Sequence, residues 1–369
     1  MYKRKIRKRW VFLVLVGLCL GMLSISTSIN CWGNGATQGG SFCGDPERYA
    51  AYYYEGNSQF FGTHDYLDLF ALDYLYQYDQ AISSWLRNVY GKFFHINLLA
   101  TEFPDYLSNS APQFYVDCGK NLVGVGFGDG PTHKYTFENV DGVITPVNTK
   151  AAQLAQLRAI QARYHLLVVD DEGDPAPECG ALSFYLGAMV HYISDLSMPC
   201  HVLAQSEMCD HLGIISQLVT GFHKRWETRV SWFSTLSDYQ SNGGGSFFTI
   251  NLGAKLGKST LTPMSAVEAA SLMAYTTYAN FDTTPGNPGL GQKDVWWLLD
   301  FEYYNRPDWT IESRNNPIFL DYYNRLEILL NWAVYYTACA LAYSLRGFSG
   351  SCTTCGGEPY YPDPWDRLD

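Results

Sequence analysis

Histidines and carboxylates recur in this chain at a spacing that suits metal ligation. His191 and Asp195 lie four residues apart, and His223 and Glu227 repeat the same spacing. Side chains four residues apart project from one face of a helix, so each pair can offer two ligand atoms to one ion. Imidazole and carboxylate groups are ligands that zinc takes in proteins, and the two pairs therefore predict a zinc site.

The residues after the first pair extend this pattern. Pro199 ends the predicted helix and His201 follows at once, so a third nitrogen ligand lies close to the helix end. A lone buried histidine is more often a satisfied core residue than a ligand. Two four-residue pairs with a histidine between them favour a metal site over the alternative, which is paired polar residues in a wet groove.

Helical periodicity covers most of the chain and predicts an all-α fold. The predicted helices are Thr63 to Trp85 (with Thr63 as its cap), Lys150 to Leu167, Ala181 to Leu196, Ile214 to Phe233, Ala266 to Asn280 and Phe319 to Leu345. Long loops are expected over Gly119 to Pro131, Ser241 to Gly257 and Pro285 to Pro317. The apolar pattern does not divide into two cores. We therefore expect one helical domain over residues 31–348 and an irregular tail over residues 349–369.

The first residues have the pattern of an export signal. Six basic residues lie within positions 1–9, an apolar stretch follows over positions 10–23, and Ser26 and Ser28 suit the small positions before a cleavage point. We therefore expect residues 1–30 to be a signal peptide and the protein to be secreted or extracytoplasmic. The alternative is an uncleaved membrane anchor, although the apolar stretch is short for a bilayer span.

The cysteine content agrees with an oxidising compartment. Ten cysteines are more than a reduced cytosolic protein usually keeps. Cys19 lies in the predicted signal, and the pairing of the others cannot be deduced from the sequence. The nine candidates for disulfides are Cys31, Cys43, Cys118, Cys179, Cys200, Cys209, Cys339, Cys352 and Cys355.

The charge of the chain restricts its partners. The net charge is −11, and removal of residues 1–30 takes six of the 25 basic residues and none of the 36 acidic ones, which leaves −17. A body this acidic repels polyanions at long range and argues against a nucleic-acid-binding module built on a basic face. A cluster of metal ions could still hold a single phosphate.

The order and spacing of the metal-binding candidates resembles the zinc-dependent phospholipases C of the bacterial secreted type. The family pattern His-x-x-x-Asp-x-x-x-x-x-His is matched by His191, Asp195 and His201, and its Phe-His-x-x-x-Glu pattern is matched around His223 and Glu227. These two blocks are the specific part of the resemblance.

Weaker blocks of the same resemblance lie upstream. Phe61-Gly-Thr-His64 is similar to the Gly-Thr-His of the family's first helix, and Phe103-Pro-Asp105 is similar to a loop that supplies a carboxylate. His133 falls where the family places another zinc histidine. The similarity therefore runs in scattered blocks from about Phe61 to Val230.

The resemblance implies an all-α domain that holds up to three zinc ions in a cleft. By this analogy Asp105, His133, His191 and Asp195 hold one zinc, His201, His223 and Glu227 hold a second, and His64 with a bridging Asp195 holds a third. In the family an N-terminal tryptophan exposed by processing completes the third site. Trp32 is the candidate here, and it requires cleavage after Cys31. If cleavage follows Ser28 instead, the third zinc is weak, absent or completed by water.

The activity implied is phosphodiester hydrolysis, with a phospholipid cleaved to diacylglycerol and a phosphorylated head group at a transient membrane-surface contact. Zinc supplies hydroxide near neutral pH, and Asp105 is the candidate for orienting or deprotonating the attacking water. One alternative is a single-strand-specific zinc nuclease or nucleotidase of the same fold, which usually has Asp where this chain has Glu227. The other is a secreted metal-binding protein without catalysis. No protein partner is inferred.

Overall fold

The computed structural model describes residues 63–92, 101, 133–140, 143–169, 171–173, 177–202, 249–281 and 317–348. Within these ranges the chain forms helices and one antiparallel hairpin. They are α1 (Thr63–Tyr78), α2 (Gln80–Lys92), β1 (Thr136–Val140), β2 (Val143–Asn148), α3 (Lys150–Leu166), α4 (Cys179–Asp195), α5 (Pro199–Val202), α6 (Leu252–Leu256), α7 (Ala266–Phe281) and α8 (Pro317–Ser344). Helices make up 71% of the described residues, which confirms the all-α class in its coarse form.

Helix α4 lies at the centre of this arrangement. Every side chain from Leu182 to Asp195 is buried, on all faces of the helix. A helix without a solvent-exposed face has to be enclosed by other elements, and α4 packs against α1, α3, α7 and α8. The last turn of α4, which carries His191 and Asp195, is therefore held inside the protein rather than at its surface.

Helix α3 can approach α4 closely because its buried face is made largely of alanine. Ala151, Ala155, Ala159 and Ala162 follow helical spacing and are buried. Small side chains at these positions allow two helix backbones to come near each other, and the largest packing surface of α3 is with α4. This pair forms the side of the core that holds the end of α4.

The predicted helix from Thr63 to Trp85 is wrong in one respect, because the structure contains two helices there. Helix α1 ends at Tyr78 and α2 begins at Gln80. Asp79 separates them, and its side-chain oxygen accepts a hydrogen bond from the backbone N–H of Ile82 at 3.0 Å. This is the usual role of an N-cap aspartate, which starts a new helix by satisfying one of its first N–H groups.

The hairpin β1–β2 was not predicted from the sequence. Its strands pair with Phe137 opposite Pro146 and Val140 opposite Val143. On β2 the apolar residues are largely exposed, with 63% of Val143 and 51% of Val147 accessible to solvent. The alternation of buried apolar and exposed polar residues that identifies a strand in sequence is therefore missing. The hairpin nevertheless bears on the site, because it begins three residues after His133.

Residues 252–256 were predicted to lie in a loop but form the short helix α6. Asn251 caps it by accepting a hydrogen bond from the N–H of Ala254 at 2.9 Å, and Gly257 ends it with a φ of 65°. Two buried polar side chains of α8 hold this segment. Glu327 accepts from the N–H of Thr249 at 2.6 Å and pairs with Lys255, while Asn331 Oδ1 accepts from the N–H of Asn251 at 2.8 Å.

Two further predictions about the long last helix can be compared with the structure. Helix α8 agrees with the predicted Phe319 to Leu345 to within two residues at its start and one at its end. Cys339, one of the disulfide candidates, is instead a free thiol buried in α8. Across the described ranges, no helix combines the length and apolarity needed to cross a bilayer.

Several predictions fall outside the described residues. They are the signal peptide over residues 1–30, the helix from Ile214 to Phe233, the loop from Gly119 to Pro131, the loop from Pro285 up to Pro317 and the tail over residues 349–369.

Candidate metal centre

Five of the nine sequence-predicted metal ligands meet around one carboxylate. Asp195 Oδ2 lies 3.0 Å from His133 Nδ1, 3.3 Å from His191 Nε2 and 3.5 Å from His201 Nδ1. The other carboxylate oxygen, Asp195 Oδ1, lies 3.4 Å from His64 Nε2. All five residues are buried, and the most accessible of them, His133, is only 7% exposed. We call these five residues the Asp195 cluster.

The Asp195 cluster is assembled from four separate elements. His191 and Asp195 lie on the last turn of α4, and His64 is the second residue of α1. His201 lies on the one-turn helix α5, which follows α4 after a short turn. His133 comes three residues before β1. Residues far apart in the chain are thus gathered at the buried end of the central helix.

Two hydrogen bonds tie the His133 segment to α5. The backbone N–H of Tyr135 donates to the carbonyl of His201 at 2.9 Å, and His201 Nδ1 donates to the carbonyl of His133 at 2.9 Å. Helix α7 also contributes, because Thr277 donates its hydroxyl to the carbonyl of Leu196 at the end of α4 at 2.6 Å. These bonds fix the two histidines relative to Asp195.

The same type of bond sets the proton positions on two of the imidazoles. His191 Nδ1 donates to the carbonyl of Thr101 at 2.5 Å, and His201 Nδ1 donates to the carbonyl of His133. A carbonyl can only accept, so the proton of each neutral ring lies on Nδ1 and the lone pair lies on Nε2. Metal-bound histidines are oriented in this way, with the ring nitrogen that does not bind the metal donating to a protein oxygen.

The spacing of the donor atoms fits a zinc ion. His133 Nδ1 lies 2.9 Å from His191 Nε2, and these two atoms lie 3.0 and 3.3 Å from Asp195 Oδ2. Ligand atoms of one tetrahedral zinc are about 3.3 Å apart, because bonds from zinc to nitrogen or oxygen are about 2.0–2.1 Å long. A second grouping includes His64, whose donor atom lies within 4.8 Å of those of His191 and Asp195.

A buried oxygen in the Asp195 cluster also suits a cation-binding site. Asp195 is fully buried, and in the described part of the chain its Oδ1 atom accepts no hydrogen bond. Burial of a carboxylate oxygen without a compensating donor is costly, and buried charges in proteins are usually paired or bound to metal. Together with the imidazole and carboxylate donor set, this oxygen makes the site fit the zinc ions that the sequence predicts.

Asp195 and His64 have the protonation states that metal ligands need. Burial raises the pKa of Asp195, but the surrounding imidazoles of His201, His191 and His133 outweigh this effect and hold the pKa well below 3.8. Burial lowers the pKa of His64 below 6.5, against a smaller opposing effect of Asp195. At neutral pH the carboxylate is therefore ionised and His64 is neutral, as metal ligands must be.

Acid is expected to destabilise the metal-free protein because of these two shifts. For His64, the unfolded chain binds a proton below pH 6.5 while the folded protein still excludes it, so the free energy of unfolding falls as the pH decreases from 6.5. Asp195 adds a second decrease in the free energy of unfolding, which begins as the pH falls to about 3.8. Urea midpoints measured in chelator between pH 7.5 and 5.5 test the decrease that is due to His64. The His64→Gln variant should show a shallower pH dependence, and an unchanged slope would contradict the assignment.

Ser194, His64 and Asp195 also follow one another in the order of a serine nucleophile, a base and a carboxylate, an arrangement that would be an alternative to a metal site. His64 Nδ1 lies 2.6 Å from Ser194 Oγ. However, Ser194 Oγ donates to the carbonyl of Val190 at 2.8 Å, and its side chain is fully buried. A nucleophilic serine needs its proton shared with the base and its oxygen open to substrate. Ser194 does not meet the second condition, because its side chain is fully buried.

Comparison with known proteins adds no family assignment. No family model matches the chain, and searches of curated proteins and of solved structures found no significant match. The functional interpretation therefore depends on the geometry of the Asp195 cluster and on the sequence resemblance.

Four of the predicted site residues cannot be placed. Asp105, His223, Glu227 and Trp32 lie outside the described residues. Among the ligands proposed for the second zinc, the described part of the chain therefore contains His201 alone.

Two residues of the site were missed in the sequence analysis. Ser194 could have been noticed, because it lies three residues after His191 and next to Asp195 on the same helix. Thr101 had no recognisable signal, since it contributes only a backbone carbonyl and lies 90 residues from His191 in the chain.

Proposed function

We propose that this protein is a zinc-dependent phosphodiester hydrolase of the phospholipase C type. The observation that carries the proposal is the Asp195 cluster, in which one buried carboxylate lies within 3.5 Å of nitrogen atoms from four imidazoles. Such a set of donors is typical of zinc sites that carry out hydrolysis, in which protein ligands are nitrogen and oxygen atoms.

In this proposal the residues of the cluster divide between ions. His133, His191 and Asp195 would hold one zinc, and His64 together with Asp195 would hold another. His201 belongs to the remaining ion. When bound, zinc ions lower the pKa of a coordinated water to about 7 and neutralise the charge on a phosphoryl group.

The protein's own groups position this chemistry. Thr101 and His133 accept the Nδ1 protons of His191 and His201 through their carbonyls, which keeps both Nε2 atoms available to metal. Burial of the cluster strengthens its electrostatic interactions, because the surroundings have a low dielectric constant. We propose that Asp105 orients and deprotonates the attacking water, a role that a carboxylate beside the metal can fill.

A phospholipid is the substrate that the charge of the chain favours. With a net charge of −11, the protein repels a polynucleotide at long range, whereas a phospholipid presents one phosphodiester at a time. The resemblance around Glu227 favours the same choice. We further propose that residues 31–348 form a phospholipase C-like helical domain that is secreted after removal of residues 1–30, and that it contacts membrane surfaces transiently.

Chelation of the purified protein tests the proposal directly. We expect hydrolysis of a phosphorylcholine ester to fall at least about 100-fold in chelator and to return when zinc is added, because the attacking water depends on metal. Zinc at 100 times its Kd should also stabilise the fold by about 2.7 kcal/mol and raise the Tm. Activity assays, elemental analysis and thermal unfolding measure these effects.

Three outcomes would contradict the proposal in different ways. Release of nucleotides from single-stranded DNA with no action on the phosphorylcholine ester would select the zinc nuclease. A protein that contains no stoichiometric zinc after export and shows no Tm shift with zinc would exclude both enzymes. Zinc binding without hydrolysis of either substrate would leave a metal-binding protein.

A further inference from the structure

We infer that Ser194 is a positioning residue that fixes the tautomer of His64 and aims its Nε2 lone pair at Asp195 as a metal donor. The inference rests on the proposed function, since it concerns how one zinc ligand is held. It adds a residue that neither the ligand spacing nor the resemblance identified.

The direction of the hydrogen bond between the two side chains follows from the neighbours of Ser194. Its Oγ atom lies 2.8 Å from the carbonyl of Val190 and 3.2 Å from that of His191. Carbonyls only accept, so the single hydroxyl proton is directed to the helix backbone. Toward His64 Nδ1, which lies at 2.6 Å, Ser194 Oγ then acts as the acceptor. This arrangement places the proton of His64 on Nδ1.

This proton position determines what His64 presents to the cluster. A neutral imidazole has one N–H, so with Nδ1 protonated the Nε2 atom carries the lone pair. His64 Nε2 faces Asp195 Oδ1 at 3.4 Å. A lone pair and a carboxylate oxygen repel each other at this separation unless a cation is close to both. The tautomer that Ser194 selects is thus the one suited to a metal ion and unsuited to a direct hydrogen bond.

The location of Ser194 allows it to couple two elements. It lies on the last turn of α4 between His191 and Asp195, whereas His64 lies at the start of α1. Both partners are fully or almost fully buried, so water does not replace the hydroxyl easily. Without it, the His64 ring is free to move its proton to Nε2 and donate to Asp195, and this tautomer competes with metal.

Comparison of Ser194→Ala with Ser197→Ala tests the inference. Ser197 is a matched control, because it is also fully buried near the end of α4 and its hydroxyl donates to a backbone carbonyl, that of Ser194, at 2.6 Å. We expect Ser194→Ala to weaken zinc binding about 10-fold to 100-fold, the range for loss of a group that orients a metal histidine. Ser197→Ala should stay close to the wild type. Competition with a chromophoric chelator measures both affinities.

A second measurement does not require metal. Nitrogen NMR of the labelled, zinc-free protein should show His64 protonated on Nδ1, with its signals assigned by their loss in His64→Gln. In Ser194→Ala the proton should shift toward Nε2, and Ser194→Thr, which keeps the hydroxyl, should restore the wild-type spectrum.

The two failures can be told apart. Protonation of His64 on Nε2 in the wild type, or equal zinc affinities of the two alanine variants, would overturn the role of Ser194 and leave the proposed function intact. Failure of the wild type to bind zinc would end the proposed function, while the NMR measurement would still decide which nitrogen Ser194 holds protonated.

Discussion

Asp195→Asn is expected to abolish tight zinc binding and phosphodiester hydrolysis together. Among the described residues, the carboxylate is the one group that approaches all four imidazoles of the cluster, and both of its oxygens face ring nitrogens. Asparagine has almost the same shape but has no charge, and its amide group cannot bridge two ions. Zinc affinity and kcat/KM should each fall at least about 100-fold, because loss of a group that only hydrogen-bonds to a metal ligand already costs up to about 100-fold. Equilibrium dialysis and the phosphorylcholine ester assay measure the two effects.

Glu178→Gln is the matched control for this substitution. Glu178 also pairs with a histidine, accepting from His165 Nδ1 at 2.5 Å, but it lies at the opposite end of α4 and its side chain is 57% exposed. An exposed pair of this kind contributes little, so we expect full zinc content and a change in unfolding free energy within about 0.5 kcal/mol. Retention of tight zinc binding in Asp195→Asn would remove Asp195 from the ligand set.

Those parts of the fold that depend on one local pattern were predictable from the sequence. Helices α3, α4, α7 and α8 agree with their predicted ranges to within about two residues, because apolar residues at helical spacing identify both the helix and its buried face. The pairing of His191 with Asp195 was predictable for the same reason, since a helix brings residues four apart onto one face. No tertiary contact is needed for either prediction.

Features without a local pattern were missed. The apolar spacing of α1 continues past Asp79 into α2, so the sequence does not mark the break, although Asp79 Oδ1 caps the second helix. The strands of the hairpin were missed because Val143 and Val147 are exposed and leave no alternation to detect. Both errors come from side chains whose role depends on surroundings that a sequence window does not contain.

Gathering the site required long-range contacts that spacing alone cannot predict. His64 was identified by its Gly-Thr-His block and His133 mainly by the order of the resembling blocks. Their positions beside Asp195 depend on the packing of α1 and on the bonds between the His133 segment and α5. The partners that orient the imidazoles are more difficult still. A backbone carbonyl such as that of Thr101 is available at every residue, so only the fold selects it.

His191→Ala is expected to remove zinc and activity together, and it should also destabilise the metal-free protein. His191 Nε2 lies near both His133 Nδ1 and Asp195 Oδ2, so the substitution removes one of three closely spaced donor atoms. Its Nδ1 atom donates to Thr101, whose carbonyl would be left buried without this donor, at a cost of about 1–3 kcal/mol. Zinc content by elemental analysis, activity and urea unfolding in chelator measure the three effects separately.

His165→Ala separates loss of a metal ligand from loss of a histidine ring in general. His165 stacks on Tyr185, with ring centroids 5.3 Å apart, and it pairs with the carboxylate of Glu178. Like His191, it therefore contacts a ring and a carboxylate, but it lies outside the Asp195 cluster. We expect this variant to keep its zinc and its activity. Zinc content that is unchanged in His191→Ala, or lost equally in both variants, would contradict the assignment of His191 as a ligand. Loss confined to His191→Ala would locate metal binding at the end of α4.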